Sequence, residues 1–456
     1  MDYLDVKRDD INYANIYNDT YILMKNAGKA VAEFINRKFP DKKEILIVCG
    51  TGNNAGDGIC AASFLKNKNI KLQFIKKFTD LKTYESRRAF NESNADYYNI
   101  ESLDKNLKDC DVIVDAIFGI GISGDPREPY ANTINKINNS QKIIISIDVP
   151  SGFPFKIKIN ADYTITFTDI KENMDKDNCG DIIVKDIGIP ENIKKNSGPG
   201  DLIYLKTPDS ESHKGMNGTL AIIGGFEYYG SAVISALGAY NTGIDLVRVY
   251  TKSLTYSVIS SYYPGIIVRD IDKINTDEIL KNDSILIGPG MGLDKDYILL
   301  IKKIIDHYNG NIIMDADALK LLKPDDVYNK KCIVTPHKME FKSFYGAEPE
   351  ERNSIELSKK YKITTVLKGK TDIITDGNSV YYSSGGNARM TMGGTGDLLS
   401  GIIAGLVSRG IKPVKACVMG TYINKKAGEL SYNDMGFYYS IEDMIDKIPG
   451  ILNKKI

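Results

Sequence analysis

Short runs of consecutive apolar residues alternate along this chain with stretches in which apolar residues recur every three or four positions. The short runs predict buried strands, and the periodic stretches, such as 56–66 and 83–97, predict helices. Strands that alternate with helices are typical of parallel sheets covered on both faces, so the pattern predicts an α/β fold. The predicted strands lie near residues 44–49, 70–76, 111–117, 142–148, 161–168, 182–186, 219–224, 245–250, 284–288, 311–315, 331–334 and 363–368, with a hairpin near 372–382.

The chain is too long for one compact domain. Its 456 residues fit two domains of ordinary size. Between residues 190 and 208 no periodic pattern continues, and Asn-Ser-Gly-Pro-Gly at 196–200 predicts a linker. We therefore expect one domain over residues 1–205 and a second over residues 206–456.

The composition disfavours several classes of function. Lys plus Arg and Asp plus Glu both number 59, so no net charge attracts nucleic acid or an anionic membrane. No apolar run approaches the roughly 18 residues of a membrane-spanning helix. The charged N-terminus is not that of a secretory signal, so a cytoplasmic location is expected. The six cysteines form no Cys-x-x-Cys pair, which indicates core residues and not a zinc or disulfide framework.

The most informative motif is Gly-Gly-Thr-Gly-Asp at residues 393–397, followed directly by an apolar stretch of helical period. The motif places free backbone N–H groups and a carboxylate at one helix N-terminus. The N–H groups favour a phosphate, and Asp397 beside them can take a proton from an attacking hydroxyl. The alternative is an aspartate that only caps the helix.

Further motifs in the same half disfavour that alternative. Pro-His-Lys-Met-Glu at 336–340 follows a predicted strand, and Val-Leu-Lys-Gly-Lys-Thr-Asp at 366–372 ends another one in a turn that could hold a nucleotide. His-Lys-Gly-Met-Asn-Gly at 213–218 and Gly-Pro-Gly-Met-Gly at 288–292 adjoin two more strands. In this order, these segments resemble the ribokinase-like domain of the NAD(P)H-hydrate dehydratases over about residues 207–450.

The first half carries an independent set of motifs. A predicted strand ends in Gly-Thr-Gly-Asn-Asn-Ala-Gly-Asp-Gly at 50–58, which matches the dinucleotide fingerprint only loosely and is not a P-loop. Asp115 and Asp148 end two later strands, and Leu-Met-Lys-Asn-Ala-Gly at 23–28 lies in the first long helix. Together these segments resemble the NAD(P)H-hydrate epimerase domain over about residues 1–205. The usual loop of that family has a glycine at the position where this chain has Ala55.

With both halves present, the chain is similar to the bifunctional NAD(P)H-hydrate repair enzymes. The resemblance implies a Rossmann-like three-layer αβα domain followed by a ribokinase-like αβα domain. Hydration at C6 of the reduced nicotinamide ring gives R and S epimers, called NADHX and NADPHX, that cannot donate hydride. The first domain would interconvert the epimers, and the second would dehydrate the S epimer with ADP or ATP.

The resemblance also implies the roles of residues in the second domain. Asp397 would be the base, and Mg²⁺ is expected with the nucleotide. The hydrate would contact Ala232, Gly292, His337 and Asp397, and the nucleotide would contact Lys368, Gly369, Lys370, Thr371, Asp372, Gly394, Thr395 and Gly396.

In the first domain, Asp148 is the candidate acid or base, because it ends a buried strand beside the expected nicotinamide. Asn54, Asp115 and Ser151 correspond to the family's K⁺ ligands. The hydrate would contact Asn53, Asn54, Ala55, Gly56 and Asp57, then Gly119, Ile120, Gly121, Ile122, Ser123, Gly124 and Asp125, and Asp148.

Two other functions fit parts of the sequence. A small-molecule kinase of the ribokinase-like fold, with a non-catalytic N-terminal binding domain, would use the same Gly-rich loop and Asp397. The second alternative is a binding module without catalytic activity, since relatives of the first domain serve as scaffolds. The Pro-His motif and the intact polar residues of the first half favour the repair enzyme. The sequence leaves ADP or ATP open, and a homo-oligomer is expected.

Overall fold

The computed structural model describes residues 2–453. Residue 1 and residues 454–456, which the predicted domains include, lie outside the described residues. The chain divides into two compact units, residues 1–194 and 195–456. Within residues 2–453, no helix combines the length and the apolar character needed to cross a membrane.

The first unit contains a seven-stranded sheet in the order β3-β2-β1-β4-β5-β6-β7, with every neighbouring pair parallel. Its strands are β1 (Glu44–Cys49), β2 (Asn69–Phe74), β3 (Asp96–Tyr98), β4 (Val112–Ala116), β5 (Ile143–Ile147), β6 (Tyr163–Phe167) and β7 (Asp181–Lys185). Its helices are α1 (Tyr3–Tyr17), α2 (Tyr21–Lys38), α3 (Asn53–Phe64), α4 (Tyr84–Glu92), α5 (Leu103–Asp109), α6 (Tyr130–Asn138) and α7 (Lys176–Cys179), with 3-10 turns at Phe78–Asp80 and Ile100–Ser102; α8 (Glu191–Lys195) ends at the division.

The second unit contains a nine-stranded sheet in the order β10-β9-β8-β11-β12-β13-β14-β15-β16. Its strands are β8 (Thr219–Ile223), β9 (Leu246–Thr251), β10 (Ile266–Asp270), β11 (Ser284–Ile287), β12 (Asn311–Met314), β13 (Cys332–Val334), β14 (Thr364–Leu367), β15 (Asp372–Thr375) and β16 (Val380–Ser383). Its helices are α9 (Tyr229–Tyr240), α10 (Ser253–Tyr262), α11 (Thr276–Leu280), α12 (Asp296–His307), α13 (Ala318–Leu321), α14 (Lys338–Tyr345), α15 (Glu351–Tyr361), α16 (Thr395–Ser408), α17 (Pro413–Met435) and α18 (Ile441–Asn453), with 3-10 turns at Pro199–Tyr204, Ile271–Lys273, Pro324–Val327, Ala388–Thr391 and Gly436–Tyr438. The last two strands are antiparallel to their neighbours and form the predicted hairpin.

Each sheet is buried on both faces, which explains its continuous apolar runs. In β1, Ile45 and Ile47 pack into one core cluster, whereas Leu46 and Val48 pack into another. In β8, successive residues likewise alternate between two clusters. Side chains of a strand point alternately to the two faces, so both helical layers of each unit contribute to its core.

The predicted α/β class and the predicted strands are confirmed, but two edge strands were missed. Residues 83–97 were predicted as one helix, whereas α4 ends at Glu92 and β3 follows it. The side chains of β3 are exposed or half-buried, and β10 pairs with β9 alone. Edge strands of this kind form through pairing with a neighbour, and a local apolar pattern does not reveal such pairing.

The division between the units lies earlier than the boundary expected from the sequence. Residues 195–205 were assigned to the first domain, but they belong with the second unit. The Ser197 amide donates to the Tyr382 carbonyl at 2.8 Å, and Leu202 is buried in the core that contains α16. The Gly- and Pro-rich segment has no periodic pattern, yet it supplies an apolar side chain and a backbone donor to the second core.

Candidate active sites

The predicted site loops of the first unit follow β1, β4 and β5, which are neighbours in the sheet. All three strands are parallel, so the loops meet at the carboxyl edge, where open α/β sheets bind ligands. The turn after β1 depends on Gly50, because a Cβ there would lie 2.0 Å from the Ile117 carbonyl oxygen. This close approach brings the β1 and β4 loops together.

Residues 53–57 form the first turns of α3. Ala55, where the resemblance to the epimerase domain implies a glycine, is helical and fully buried, and its φ is not positive. The alanine therefore carries no strain at this position. Asn54 is also buried, and its Nδ2 has no hydrogen-bond partner. A buried amide without a partner needs an explanation, and an absent ligand is one.

Asp115 and Ser151 are in direct contact. The Ser151 hydroxyl donates to Asp115 Oδ1 at 2.5 Å, and the Ser151 amide donates to Oδ2 at 2.8 Å. Ser146 Oγ also donates to Oδ2 at 2.8 Å. Burial raises the pKa of Asp115, and these hydrogen bonds oppose that increase. The structure thus brings two of the three predicted cation ligands together.

Asp148 joins this group through Gly119. A Cβ on Gly119 would lie 3.3 Å from Asp148 Oδ2 and 3.7 Å from Asn54 Oδ1. On its other side, Asp148 Oδ1 lies 2.9 Å from the ammonium of Lys171, a residue that the sequence analysis did not identify. Asn54, Gly119 and Asp148, from three separate segments, are therefore within reach of one small ligand.

Two further carboxyl groups are coupled to Asp148. Burial raises the pKa of Asp57 well above its ordinary value, and the charges of Asp148 and Asp10 raise it further. The pKa of Asp10 rises to about 7, mainly through desolvation and then through Asp148. The side chain of Asp10 is exposed, so solvent screens its interaction with Asp148. An acid that retains its proton near a paired carboxylate can act as a proton donor.

The loop at residues 119–125 contributes less than predicted. Ile120 packs against Val149 and Phe153 below the loop, and the exposed Asp125 accepts a hydrogen bond from the Ile157 amide at 2.9 Å. Gly121 and Ser123 are exposed, and Ile122 and Gly124 are half-exposed. Within the described residues, only Gly119 of this loop is placed against Asp148.

In the second unit, the site segments follow β8, β11, β12, β13 and β14, which are consecutive and parallel in the sheet. The last of these strands, β14, ends at Leu367, and the amide of the following Lys368 donates to the Pro336 carbonyl at 2.9 Å. The segment that contains Asp397 comes from a helix that packs on this sheet. Its position relative to the strands could not be read from the sequence.

The glycine-rich motif begins α16 as predicted. Gly394 has φ 95°, a conformation that side chains rarely adopt, and it turns the chain into the helix. Thr395 Oγ1 donates to the Met390 carbonyl at 2.9 Å and fixes the turn. The first N–H groups of a helix have no partner within it and favour an anion. Thr395 and Gly396 line a cavity of about 510 Å³.

Asp397 is half-buried at this helix start. Its pKa is raised to about 7, first by desolvation and then by the charge of Asp315, while a hydrogen bond from Ser231 and the charge of Lys368 oppose the increase. Ser235 Oγ donates to the Asp397 carbonyl at 2.9 Å and ties the turn to α9. A carboxyl group with a pKa near neutrality is suited to accept a proton.

Lys368 connects Asp397 to a group of acids. Its ammonium lies 2.8 Å from Asp315 Oδ1 and 3.7 Å from Glu340 Oε2. A Cβ on Gly396 would lie 3.2 Å from the same ammonium. Burial alone would lower the pKa of Lys368, but these carboxylates raise it. A charged ammonium therefore lies next to the predicted anion site.

The cavity collects most of the predicted nucleotide residues. Thr371 and Gly394 do not line it, and the Thr371 hydroxyl bonds to Ser384 instead. Both carboxylate oxygens of Asp372 have partners within the protein. Oδ1 accepts a hydrogen bond from the Gly369 amide at 2.9 Å, and Oδ2 pairs with the Lys425 ammonium at 3.3 Å. The cavity is lined by Lys368, Gly369, Lys370, Asp372, Gly385, Gly386, Asn387, Ala388, Met390, Thr391, Thr395, Gly396, Leu399, Asn424 and Lys425.

The residues predicted to contact the hydrate lie at different depths in the second unit. Ala232 is fully buried, so it shapes the site from below and presents no surface to a ligand. Gly292 is also buried, and its amide donates to Asp317 Oδ2 at 2.9 Å. His337 caps α14: its Nδ1 accepts hydrogen bonds from two amides, and its Nε2 lies 3.3 Å from Glu340. Half of the His337 side chain remains exposed.

Several site residues had no clear signal in the sequence. Asp315 and Asp317 follow β12, and the only sign in the sequence that they belong to the site is their position as two polar residues at the end of a strand. Ser231 lies one residue before the predicted Ala232. Lys425 lies within the long helix α17, where only its burial identifies it.

The first αβα unit has a group of polar side chains at the carboxyl edge of its sheet. The second has a helix N-terminus suited to an anion, a carboxyl group of raised pKa and a cavity, which are typical of a nucleotide-dependent enzyme. Residues 220–450 match the family model described as NAD(P)H-hydrate dehydratase, and residues 20–173 match that of the YjeF-related protein N-terminus. The chain belongs to the family of bifunctional NAD(P)H-hydrate repair enzymes. Its family members from Methanocaldococcus jannaschii and Archaeoglobus fulgidus are 35% and 32% identical, over 94% of this chain and 89% and 93% of theirs.

A solved structure supports the fold of the second unit. The ADP/ATP-dependent NAD(P)H-hydrate dehydratase from Bacillus subtilis, co-crystallised with ATP and Mg²⁺, is 23% identical with a TM-score of 0.50. It aligns with 56% of this chain and 96% of its own. The predicted ribokinase-like fold is confirmed. Matches to both halves disfavour a sugar kinase with a non-catalytic N-terminal domain.

Proposed function

We propose that the protein repairs hydrated NADH and NADPH, with one reaction in each unit. The first unit interconverts the R and S epimers, and the second dehydrates the S epimer with ADP or ATP. Family membership over nearly the whole chain supports both activities. The observation that carries the proposal is Asp397, with a pKa of about 7, at the helix start that lines the nucleotide cavity.

In the second unit, Asp397 takes the proton of the C6 hydroxyl, whose oxygen then attacks the terminal phosphoryl group of the nucleotide and displaces AMP from ADP, or ADP from ATP. The amides of Thr395 and Gly396 and the ammonium of Lys368 bind the negative charge of that group. The phosphate then leaves C6 while C5 loses a proton, which restores the reduced ring. Asp315 and Glu340 hold the ammonium of Lys368 in place.

The residues near Lys368 also fit the Mg²⁺ ion expected with the nucleotide. Asp315, Glu340 and Asp397 are three carboxyl groups around one ammonium, an excess of oxygen donors that a hard cation would balance. Among residues 2–453 no cluster of His, Cys, Asp and Glu is arranged as a metal site by itself. Asp315 and Glu340 would therefore hold the ion together with nucleotide phosphates, and the ion would neutralise charge on the transferring group.

In the first unit, Asp148 acts as the base and Asp57 as the proton donor toward the hydrate. Asp148 presents Oδ2 to the loop at Gly119 and Asn54, and Asp57 holds its proton because burial raises its pKa. Epimerisation at C6 breaks and remakes either the C6–N1 bond, after the hydroxyl loses its proton and N1 or the ring gains one, or the C6–O bond, after the hydroxyl is protonated and leaves as water. Both routes need one group that accepts a proton and another that supplies it. Two carboxyl groups in different environments provide both functions.

The first unit also fits a potassium ion. Asn54, Asp115 and Ser151 supply amide, carboxylate and hydroxyl oxygens, a hard set of donors suited to an alkali cation. Oδ1 is the atom of Asn54 that can bind a cation, and it lies beside Gly119, whereas the buried Nδ2 is a donor suited to an acceptor oxygen of the hydrate. The ion would hold the β1 and β4 loops around the hydrate.

A direct assay tests this function. The purified protein is incubated with an epimer mixture of hydrated NADPH, with ADP, with ATP or without nucleotide, and the absorbance of reduced nicotinamide is followed. Complete recovery with one of the nucleotides, and none without, is expected. Turnover of other alcohols in preference to the hydrate would contradict the proposal and favour a small-molecule kinase.

Homo-oligomerisation and a cytoplasmic location stay predictions, which light scattering and fractionation would test.

We predict that dehydration of the S epimer depends on pH through Asp397. The raised pKa of about 7 means that the proton-accepting form predominates only above that pH. The value of kcat/KM should therefore reach half its maximum near pH 7 and fall about tenfold for each unit below it. Initial rates at saturating nucleotide across the neutral range measure this. A profile without that acidic limb would contradict the role of Asp397.

We also predict that the two units act independently as fragments cut between residues 194 and 195. Each unit has its own sheet and core, so residues 1–194 should interconvert epimers without nucleotide, and residues 195–456 should dehydrate only the S epimer. A fragment of residues 206–456 serves as the comparison. It lacks buried Leu202 and should be less stable by about 2 kcal/mol in thermal unfolding. Equal stability of the fragments 195–456 and 206–456 would contradict the assignment of residues 195–205 to the second unit.

A further inference from the structure

Lys171 lies outside every motif of the sequence, yet its ammonium is buried in the first unit. The side chain is 3% exposed and follows β6. Its three N–H groups have three acceptors: Asp148 Oδ1 at 2.9 Å, Thr166 Oγ1 at 2.8 Å and the Phe167 carbonyl at 2.6 Å. A buried ammonium with every proton bonded has one fixed position.

The two oxygens of Asp148 have different surroundings. Oδ1 pairs with Lys171, whereas Oδ2 faces Gly119, where the amide oxygen of Asn54 also lies. The backbone of Asp148 has φ 66°, and its amide donates to the Ile165 carbonyl at 2.8 Å. The backbone, the ammonium and the glycine loop together leave one oxygen directed toward the cleft.

We propose that Lys171 is a positioning residue for epimerisation, which holds Asp148 Oδ1 so that Oδ2 meets the hydrate. The inference rests on the proposed function of the first unit. Stability alone does not explain the ion pair of Lys171 and Asp148. A protein in which apolar residues of similar volume replace a buried ion pair is often equally stable. Lys171 is the cation that the structure places against Asp148, 2.9 Å from Oδ1.

The test uses the full-length protein without nucleotide, so that dehydration does not occur. Chromatography separates the R and S epimers of hydrated NADPH and gives the rate of their interconversion. Lys171→Met should lower kcat about 100-fold, because Asp148 loses its fixed orientation, with KM changed by less than about threefold. Lys171→Arg keeps the charge and should recover most of the lost rate. In the Asp148→Asn background, Lys171→Met should have no further effect, because residues that act as a unit are not additive.

Two controls separate positioning from folding. Lys176 pairs with Asp181 at the same 2.9 Å but is 81% exposed, so Lys176→Met should leave epimerisation unchanged. Dehydration of the S epimer by the same variants, with nucleotide added, should also stay at the wild-type rate, and thermal unfolding measures the stability of the first unit.

Each other result counts against the proposal. Wild-type epimerisation by Lys171→Met would overturn it, as would an effect that multiplies with that of Asp148→Asn. A rate lost in Lys171→Met and not recovered in Lys171→Arg, with lowered thermal stability, would make the residue purely structural. Absence of epimerisation by the wild-type protein would instead refute the proposed function itself.

Discussion

Replacing Asp397 by asparagine should abolish nucleotide-dependent dehydration and leave epimer interconversion intact. An amide cannot take the proton of the C6 hydroxyl, and loss of a general base costs about 100- to 10,000-fold. The amide keeps an oxygen that can accept the hydrogen bond from Ser231. The anion site of Thr395 and Gly396 is unchanged. Recovery of reduced cofactor from the pure S epimer, with ADP or ATP, measures the loss.

The fold of this variant should not suffer. Burial raises the pKa of Asp397, which means that the folded protein disfavours the ionised carboxyl above pH 7. A neutral amide removes that cost, so thermal stability at pH 8 should be equal or higher. Asp446→Asn, an exposed change of the same charge in α18, is the matched control and should retain full activity. Near-normal dehydration by Asp397→Asn would show that another group is the base.

Replacing Asp148 by asparagine should have the converse effect. The S epimer should still be repaired at the normal rate, while the enzyme-catalysed conversion of R to S should fall about 100-fold or more. Repair of a mixed pool then has two phases, a fast one for S and a slow one limited by spontaneous epimerisation of R. Consumption of the whole pool in one fast phase would exclude Asp148 as the catalytic group.

This variant also tests stability, because it leaves the buried ammonium of Lys171 without a counter-charge. Removal of one partner of a buried pair costs up to about 3–5 kcal/mol. The double variant Asp148→Asn with Lys171→Met removes both charges and should regain stability without regaining activity. Asp104→Asn changes an exposed ion pair with Lys136 and should affect neither property. Recovery of epimerisation in the double variant would mean that the single change acts through folding.

Several backbone features of the candidate sites followed from local sequence motifs. Gly394 begins α16 with φ 95°, a conformation that favours glycine and is a local property of the turn. Gly50 is required for a different reason, because a Cβ there would meet the Ile117 carbonyl of a distant segment. The surroundings of Ala232 and Asp372 depend on distant parts of the chain. Ala232 is buried, and Asp372 is held by Lys425 from a helix more than fifty residues away. Neither the burial of a small residue nor the partner of a carboxylate can be read from adjacent positions.

The sequence predicted the α/β class, most strands, the hairpin and the loops at the carboxyl edge, because strand and helix periods and glycine turns are local properties. Which charged groups meet depends instead on how distant segments pack. It paired Lys171 with Asp148, placed Lys368 between Asp315 and Glu340, and assigned residues 195–205 to the second unit. These contacts join segments distant in the chain, and their energies depend on burial and distance, which only the packed sheets and helices define.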